Sequence, residues 1–185
     1  INLRVDEHAK RVNSGYVRQQ WMKLLSERYV DDDAEYVLHI DSDSIFCSRH
    51  SPDIWFKDGK PVMLRTSYDA IYDSTKKQGR SLEGIERWQR ETSEAMGFKV
   101  DYEYMRGMPL VYPKSIFKRV REYIRNIHDC TLIDYFKDKQ TFTEYNVLGA
   151  YAYQFMRDQF YWITQDDNKE EYFDYAENIK GRHMR

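Results

Sequence analysis

The chain has 185 residues, with 29 lysines and arginines against 31 aspartates and glutamates, so its formal net charge is −2. Because the two signs are interleaved along the chain, the sequence lacks the basic patch on which a nucleic-acid backbone binds. No apolar run approaches the ~20 residues that span a bilayer, and the two isolated cysteines, Cys47 and Cys130, are typical of a reducing compartment. We therefore expect a cytoplasmic protein with one domain over residues 1–185, no transmembrane segment and no nucleic-acid partner.

Hydrophobic spacing predicts the elements in chain order. A helix over 14–29 has Val17, Trp21 and Leu24 on one face, and a mostly apolar strand follows over 35–40. Further strands are predicted at 61–66, 100–104 and 159–164, and further helices at 82–96, 113–127, 131–138 and 143–157. From Asp166 onward we expect an acidic stretch and then a basic tail. This alternation predicts an α/β fold, Rossmann-like, with a mostly parallel sheet flanked by helices.

The strand over 35–40 runs directly into Asp41-Ser42-Asp43. In an extended chain the side chains at i and i+2 project to the same side, so Asp41 and Asp43 can converge on one cation. Carboxylates suit Mn²⁺ or Mg²⁺, and substrate phosphates often complete the coordination shell of Mg²⁺. The triplet therefore predicts a divalent-metal site for a phosphate-bearing substrate, with a solvated surface turn as the alternative.

A hydrophobic strand ending in Asp-x-Asp resembles the signature of the GT-A glycosyltransferases. The resemblance implies that Asp41, Ser42 and Asp43 bind a metal ion together with the diphosphate of a nucleotide-sugar donor. The segment is also similar to the first motif of the haloacid-dehalogenase phosphatases, in which Asp41 would be a covalent nucleophile. Those phosphatases need a later acidic motif with a glycine, which Thr164-Gln-Asp-Asp-Asn168 does not supply.

Two other segments extend the resemblance to the transferases. The helix that contains Gln19 and Gln20 is similar to the helix that contacts the donor, although an amphipathic helix with an exposed polar face is the plain alternative. Near the end of the chain, His183 resembles the late histidine that serves as a third metal ligand, and Arg182 would contact the diphosphate. A solvated basic tail is the alternative for both.

The segment from Phe142 to Tyr151 resembles an element found in a branch of bacterial and viral transferases. That resemblance implies that Glu144 is the general base toward the acceptor hydroxyl. Otherwise, Thr143 is a helix cap and Glu144 an acid in the first helical turn. In one respect the chain departs from the family. Only forty residues precede the triplet, so we expect the nucleotide-binding strand to be missing or unusually short.

The expected function is the metal-dependent transfer of a hexosyl or deoxyhexosyl group from a nucleoside-diphosphate sugar. A UDP-sugar is the favoured donor, and the acceptor is a hydroxyl of a glycan or glycoprotein. Asp43 and Glu144 are the expected catalytic residues. Trp55, Trp88 and Trp162 would stack on sugar rings or pack in the core. The alternatives are a phosphatase that uses Asp41 and a saccharide-binding module without catalysis.

Overall fold

The computed structural model describes residues 15–40 and 51–183. The helices within these ranges are α1 (Gly15–Lys23), α2 (Tyr68–Lys77), α3 (Glu83–Met96), α4 (Ser115–His128), α5 (Leu132–Phe136), α6 (Glu144–Phe155) and α7 (Lys169–His183). The strands are β1 (Tyr36–His39), β2 (Phe56–Lys57), β3 (Lys60–Ser67), β4 (Tyr102–Glu103), β5 (Leu110–Pro113) and β6 (Tyr161–Thr164). Short 3₁₀ turns follow α1, precede β2 and link α6 to β6.

β3 is the strand with the most neighbours. It pairs antiparallel with β2 at its start and with β4 at its end, and in between it pairs in parallel with β6 from Val62 to Arg65. β1 and β5 form a separate antiparallel pair, in which His39 lies opposite Leu110. The sheet connections therefore bring the end of β1 beside the beginning of β5.

The prediction of a mixed α/β fold is confirmed, but the described residues do not form a mostly parallel sheet. Within these ranges, β3 and β6 are the one parallel pair, and the other three pairings are antiparallel. One reason is the two-residue turn at Asp58 and Gly59, whose φ angles of 53° and 73° suit a tight hairpin. So short a link can only reverse the chain, because a parallel pair needs a long crossover.

β3 is buried on both of its faces, which places it between two apolar clusters. Met63 belongs to the larger cluster, which also includes residues of α1, α4 and α6. Val62 and Leu64 belong to the smaller cluster, where Ile163 and Tyr172 pack against them. α7 thus covers the face of β3 that is turned away from the larger cluster.

The observed helices differ from the prediction in three places. α1 ends at Lys23 rather than near Tyr29, because the Ser26 hydroxyl donates a hydrogen bond of 2.7 Å to the Lys23 carbonyl and a 3₁₀ turn follows. α2 was not predicted, although the Ser67 hydroxyl caps it by accepting from the Ala70 amide at 3.2 Å. α7 replaces the predicted acidic stretch and basic tail.

Candidate functional site

The predicted metal-binding triplet lies outside the described residues: Asp41, Ser42 and Asp43 fall in the range between 40 and 51. What the structure does describe is the end of the strand that precedes them. β1 ends at His39, the second residue before Asp41. The surroundings of His39 therefore define the framework from which the chain enters the triplet.

His39 is buried among aromatic rings. Its Nε2 lies 2.8 Å from the Ser26 hydroxyl, and its ring centroid lies 5.6 Å from that of Tyr112, 5.2 Å from that of Phe117 and 5.7 Å from that of Tyr145. Burial, together with the positive charge of Lys23, lowers the pKa of His39 to about 4. The imidazole is therefore neutral at neutral pH, and its contacts fasten the end of β1 to α4 and α6.

Glu144, the first residue of α6, is buried beside α1. Lys23 Nζ lies 2.8 Å from Glu144 Oε1, and the Gln20 amide nitrogen, when oriented toward the carboxylate, donates to Glu144 as well. Burial opposes the charge on Lys23, but the Glu144 carboxylate outweighs it and raises the pKa of Lys23. The ammonium also lies 4.3 Å from the centre of the Tyr145 ring. We call Gln20, Lys23, His39, Glu144 and Tyr145 the Glu144 cluster.

The structure brings together two of the predicted site residues and separates a third from them. Gln20 and Glu144 are neighbours, whereas Gln19 is exposed. The sequence contained a signal that distinguishes Gln20 from Gln19. Gln20 shares one face of the helix, at three- and four-residue spacing, with Val17, Trp21 and Leu24. Gln19 lies outside that stripe. The predicted roles of both glutamines and of Glu144 stay predictions.

A cleft of about 650 Å³ opens on the α7 side of β3. Its walls come from the second half of β3, from α2, from the first turns of α3, from the segment 103–107 and from α7. Thr66 lies in the cleft wall, where its hydroxyl bonds Gln165 Oε1 at 2.9 Å and the Tyr172 hydroxyl at 3.0 Å. We call this cavity the β3 cleft.

An ion pair between a buried carboxylate and a half-exposed guanidinium lines the β3 cleft. Glu103 is 2% exposed, accepts a hydrogen bond of 3.0 Å from the Met105 amide and contacts the guanidinium of Arg106. Burial raises the pKa of the Glu103 carboxyl, and the charge of Arg106 offsets this only in part. A buried carboxyl with a raised pKa at a cleft is a common property of ligand-binding and catalytic sites.

The segment 107–110 connects the wall of the β3 cleft to β5, the strand that pairs with the end of β1. Gly107 lines the cleft with a φ of 67°, and a Cβ there would come within 2.9 Å of Leu64 Cδ1, so only glycine fits without strain. Three residues later, Leu110 pairs with His39. Since three residues span about 10 Å when extended, the cleft wall is close to the point where the chain leaves β1.

The remaining predicted ligands lie in the last turn of α7. Arg182 and His183 are helical, and the structure describes their backbone alone. The same helix lines the β3 cleft with Tyr172, Phe173, Ala176 and Glu177. At 1.5 Å per helical residue, His183 lies about 9 Å along the helix axis from Glu177.

Sequence reasoning missed Glu103, Arg106 and the cleft itself. Tyr102 and Tyr104 alternate around Glu103, and this pattern normally turns the charged side chain toward solvent. Of the predicted sugar-stacking residues, Trp88 lines the cleft. Trp162 instead packs against Tyr153 and Phe160.

In residues 15–40 and 51–183, no three His, Cys, Asp or Glu side chains gather as metal ligands. In the same ranges, no helix has the length and apolar character needed to cross a bilayer.

Comparison with known proteins adds no relative. No protein-family model, curated protein or solved structure matches the chain.

Proposed function

We propose that this chain is a glycosyltransferase of the GT-A type, which moves a sugar from a UDP-sugar to a hydroxyl of a glycan or glycoprotein. One observation carries the proposal: Gln20 and Glu144, which belong to distant segments of the motif pattern, lie in contact beside the end of β1. Immediately after that strand comes Asp41-Ser42-Asp43. Two separate parts of the pattern thus meet near the strand that leads into the third.

The donor end of the proposed site consists of Asp41, Asp43 and His183 as ligands of Mn²⁺ or Mg²⁺, with Gln20, Ser42 and Arg182 near the nucleotide-sugar. Two carboxylates and one imidazole form a set of metal ligands that is chemically suited to these ions. When bound, the ion would stabilise negative charge on the departing diphosphate. We assign Gln19, which is exposed, a lesser part than Gln20 in binding the donor.

The proposed general base is Glu144. A base must meet the acceptor hydroxyl at hydrogen-bond distance, and such catalysis contributes roughly 10²–10⁴ in rate. Lys23 and Gln20 hold the Glu144 carboxylate from two sides, which fixes its orientation. Tyr145, the next residue, contacts the ring of His39 and so ties this carboxylate to the end of β1.

A saccharide-binding module without transferase activity is the second candidate. The observation that favours it is the β3 cleft, which combines an aromatic ring with a buried carboxylate and guanidinium. The two functions differ in one requirement, because binding a saccharide in this cleft needs neither nucleotide nor metal.

Thermal unfolding with UDP or GDP, with and without Mn²⁺, tests the proposal. A ligand at about 100 times its Kd stabilises the native state by about 2.7 kcal/mol, which raises Tm by roughly 5–10 °C in a chain of this size. We expect that shift with nucleotide and Mn²⁺ together, and its loss in Asp43→Ala. Asp33→Ala removes an exposed aspartate from the turn before β1 and is the matched control.

Transfer assays complete the test. Glu144→Gln should lower turnover of the UDP-sugar by a factor of roughly 10²–10⁴. The Mn²⁺-dependent shift in Tm with UDP should remain. Full turnover in Asp43→Ala would contradict the proposal. Hydrolysis of p-nitrophenyl phosphate that depends on Asp41 would favour the phosphatase instead.

A further inference from the structure

The β3 cleft has the dimensions of a ligand site. Its volume of about 650 Å³ lies within the range of roughly 300–1,000 Å³ that small-molecule sites occupy. None of the Glu144 cluster residues lines it. The cleft is therefore a candidate ligand site distinct from the Glu144 cluster.

The charges around the cleft balance. Among the described lining residues, the charged side chains are those of Arg80, Arg106, Glu103 and Glu177, two of each sign. A site for a phosphate or a polyanion would have an excess of basic groups. The balance favours a ligand that is polar but has no net charge.

The lining supplies both parts of a saccharide site. Trp88, half-buried at the start of α3, offers the flat apolar surface that the C–H face of a sugar ring covers. The Glu103 carboxylate is an acceptor for sugar hydroxyls, and the half-exposed Arg106 guanidinium beside it is a donor. Because this carboxylate and guanidinium are adjacent, neighbouring hydroxyls of one ring could be bound together.

We infer that the β3 cleft binds a neutral saccharide unit of the acceptor, with Trp88 stacked on the ring and Glu103 with Arg106 on its hydroxyls. This inference rests on the proposed function, since it names a part of the acceptor substrate. The short segment from Gly107 to Leu110 links the cleft to the end of β1.

Saturation-transfer NMR with the intact chain tests this inference. The probes are the methyl glycosides of glucose, galactose, mannose, xylose and rhamnose, without nucleotide or metal, and glucose 1-phosphate for comparison. We expect at least one neutral glycoside to bind more tightly than the phosphate. Trp88→Leu should weaken that binding about tenfold, or about 1.4 kcal/mol. Phe155→Leu, which changes an exposed aromatic residue outside the cleft, should leave it unchanged.

A second measurement does not depend on a variant. Amide shifts of the wild-type chain on titration with the bound glycoside should change at Gly84, Gly107 and Gln165, which line the cleft. The inference is overturned if no methyl glycoside binds, if glucose 1-phosphate binds more tightly, or if Trp88→Leu binds like the wild type. The Mn²⁺-dependent shift in Tm with UDP is measured separately, so failure of saccharide binding can be distinguished from failure of the proposed function.

Discussion

At the residue scale, His39 predicts how stability depends on pH. Its pKa is about 4 in the folded chain, against 6.5 when unfolded, because burial and the nearby Lys23 charge disfavour the imidazolium. Between these values the unfolded state binds more protons, so stability falls as the pH drops from 6.5 to 4, by about 3 kcal/mol in total. Urea unfolding at pH 7.5, 6 and 5 measures this loss.

His39→Gln is the variant for that experiment. It removes the titrating group, so its stability should change less between pH 7.5 and pH 5 than that of the wild type, although its stability at pH 7.5 will be lower. The stability at pH 7.5 falls because the aromatic packing with Tyr112 and Phe117 is lost. An identical pH slope in both proteins would show that His39 does not carry the acid sensitivity.

The Lys23–Glu144 pair predicts strong coupling between two side chains. The pair is mostly buried, so Glu144→Gln leaves the ammonium without its carboxylate and should cost about 1–3 kcal/mol. A double-mutant cycle with Lys23→Met isolates the pair. The matched control is the Lys99–Asp101 pair, which is exposed and should show almost no coupling. Equal coupling in the two cycles would contradict the prediction.

The sequence predicted residue types better than residue surroundings. Gln19, Gln20 and Glu144 were named through the resemblance to the transferases, and of these Gln20 and Glu144 do meet. Glu103 was missed because its burial depends on the Arg106 side chain and on the walls that α2, α3 and α7 build around it. Those walls come from distant parts of the chain, and no local pattern around residue 103 contains them.

At the element scale, the contact between α6 and Tyr104, the residue that follows β4, requires a glycine. A Cβ on Gly149 would collide with the Tyr104 side chain, whose ring belongs to the larger core. Gly149→Ala should therefore cost about 1–3 kcal/mol or more through overpacking. Gly84→Ala is the control, because a Cβ there meets nothing within 4 Å in helix α3 and should stabilise the helix by about 0.5–1 kcal/mol. Urea midpoints of the two variants should move in opposite directions.

Helices with a regular apolar face were predictable, and helices rich in charge were not. α3, α4 and α6 were identified from apolar spacing, and Gly97 ends α3 at a φ of 70° as its position indicated. α7 was interpreted as an acidic stretch and a basic tail, because its acidic residues outnumber the apolar residues that are buried. Tyr172 and Ile179, seven residues apart, are the buried contacts that secure it.

At the scale of the whole molecule, the strand partners could not be predicted. The alternation of strands and helices predicted the mixed α/β class, but it does not specify which strands lie side by side. β2 and β5 were absent from the prediction, and both supply antiparallel neighbours. Register and direction depend on which faces are buried, and that is decided by the packing of distant helices.

β3 serves both apolar clusters, and this has a consequence for unfolding. Met63 faces one cluster, while Val62 and Leu64 face the other. Neither cluster can therefore unfold while β3 stays in place. We expect a single heat-absorption peak in which the calorimetric and van't Hoff enthalpies agree. Two resolved peaks would mean that the clusters melt independently. Because the two clusters share β3, the chain unfolds on heating as one cooperative unit. A destabilising substitution on either side of β3 therefore lowers the melting temperature of the whole chain.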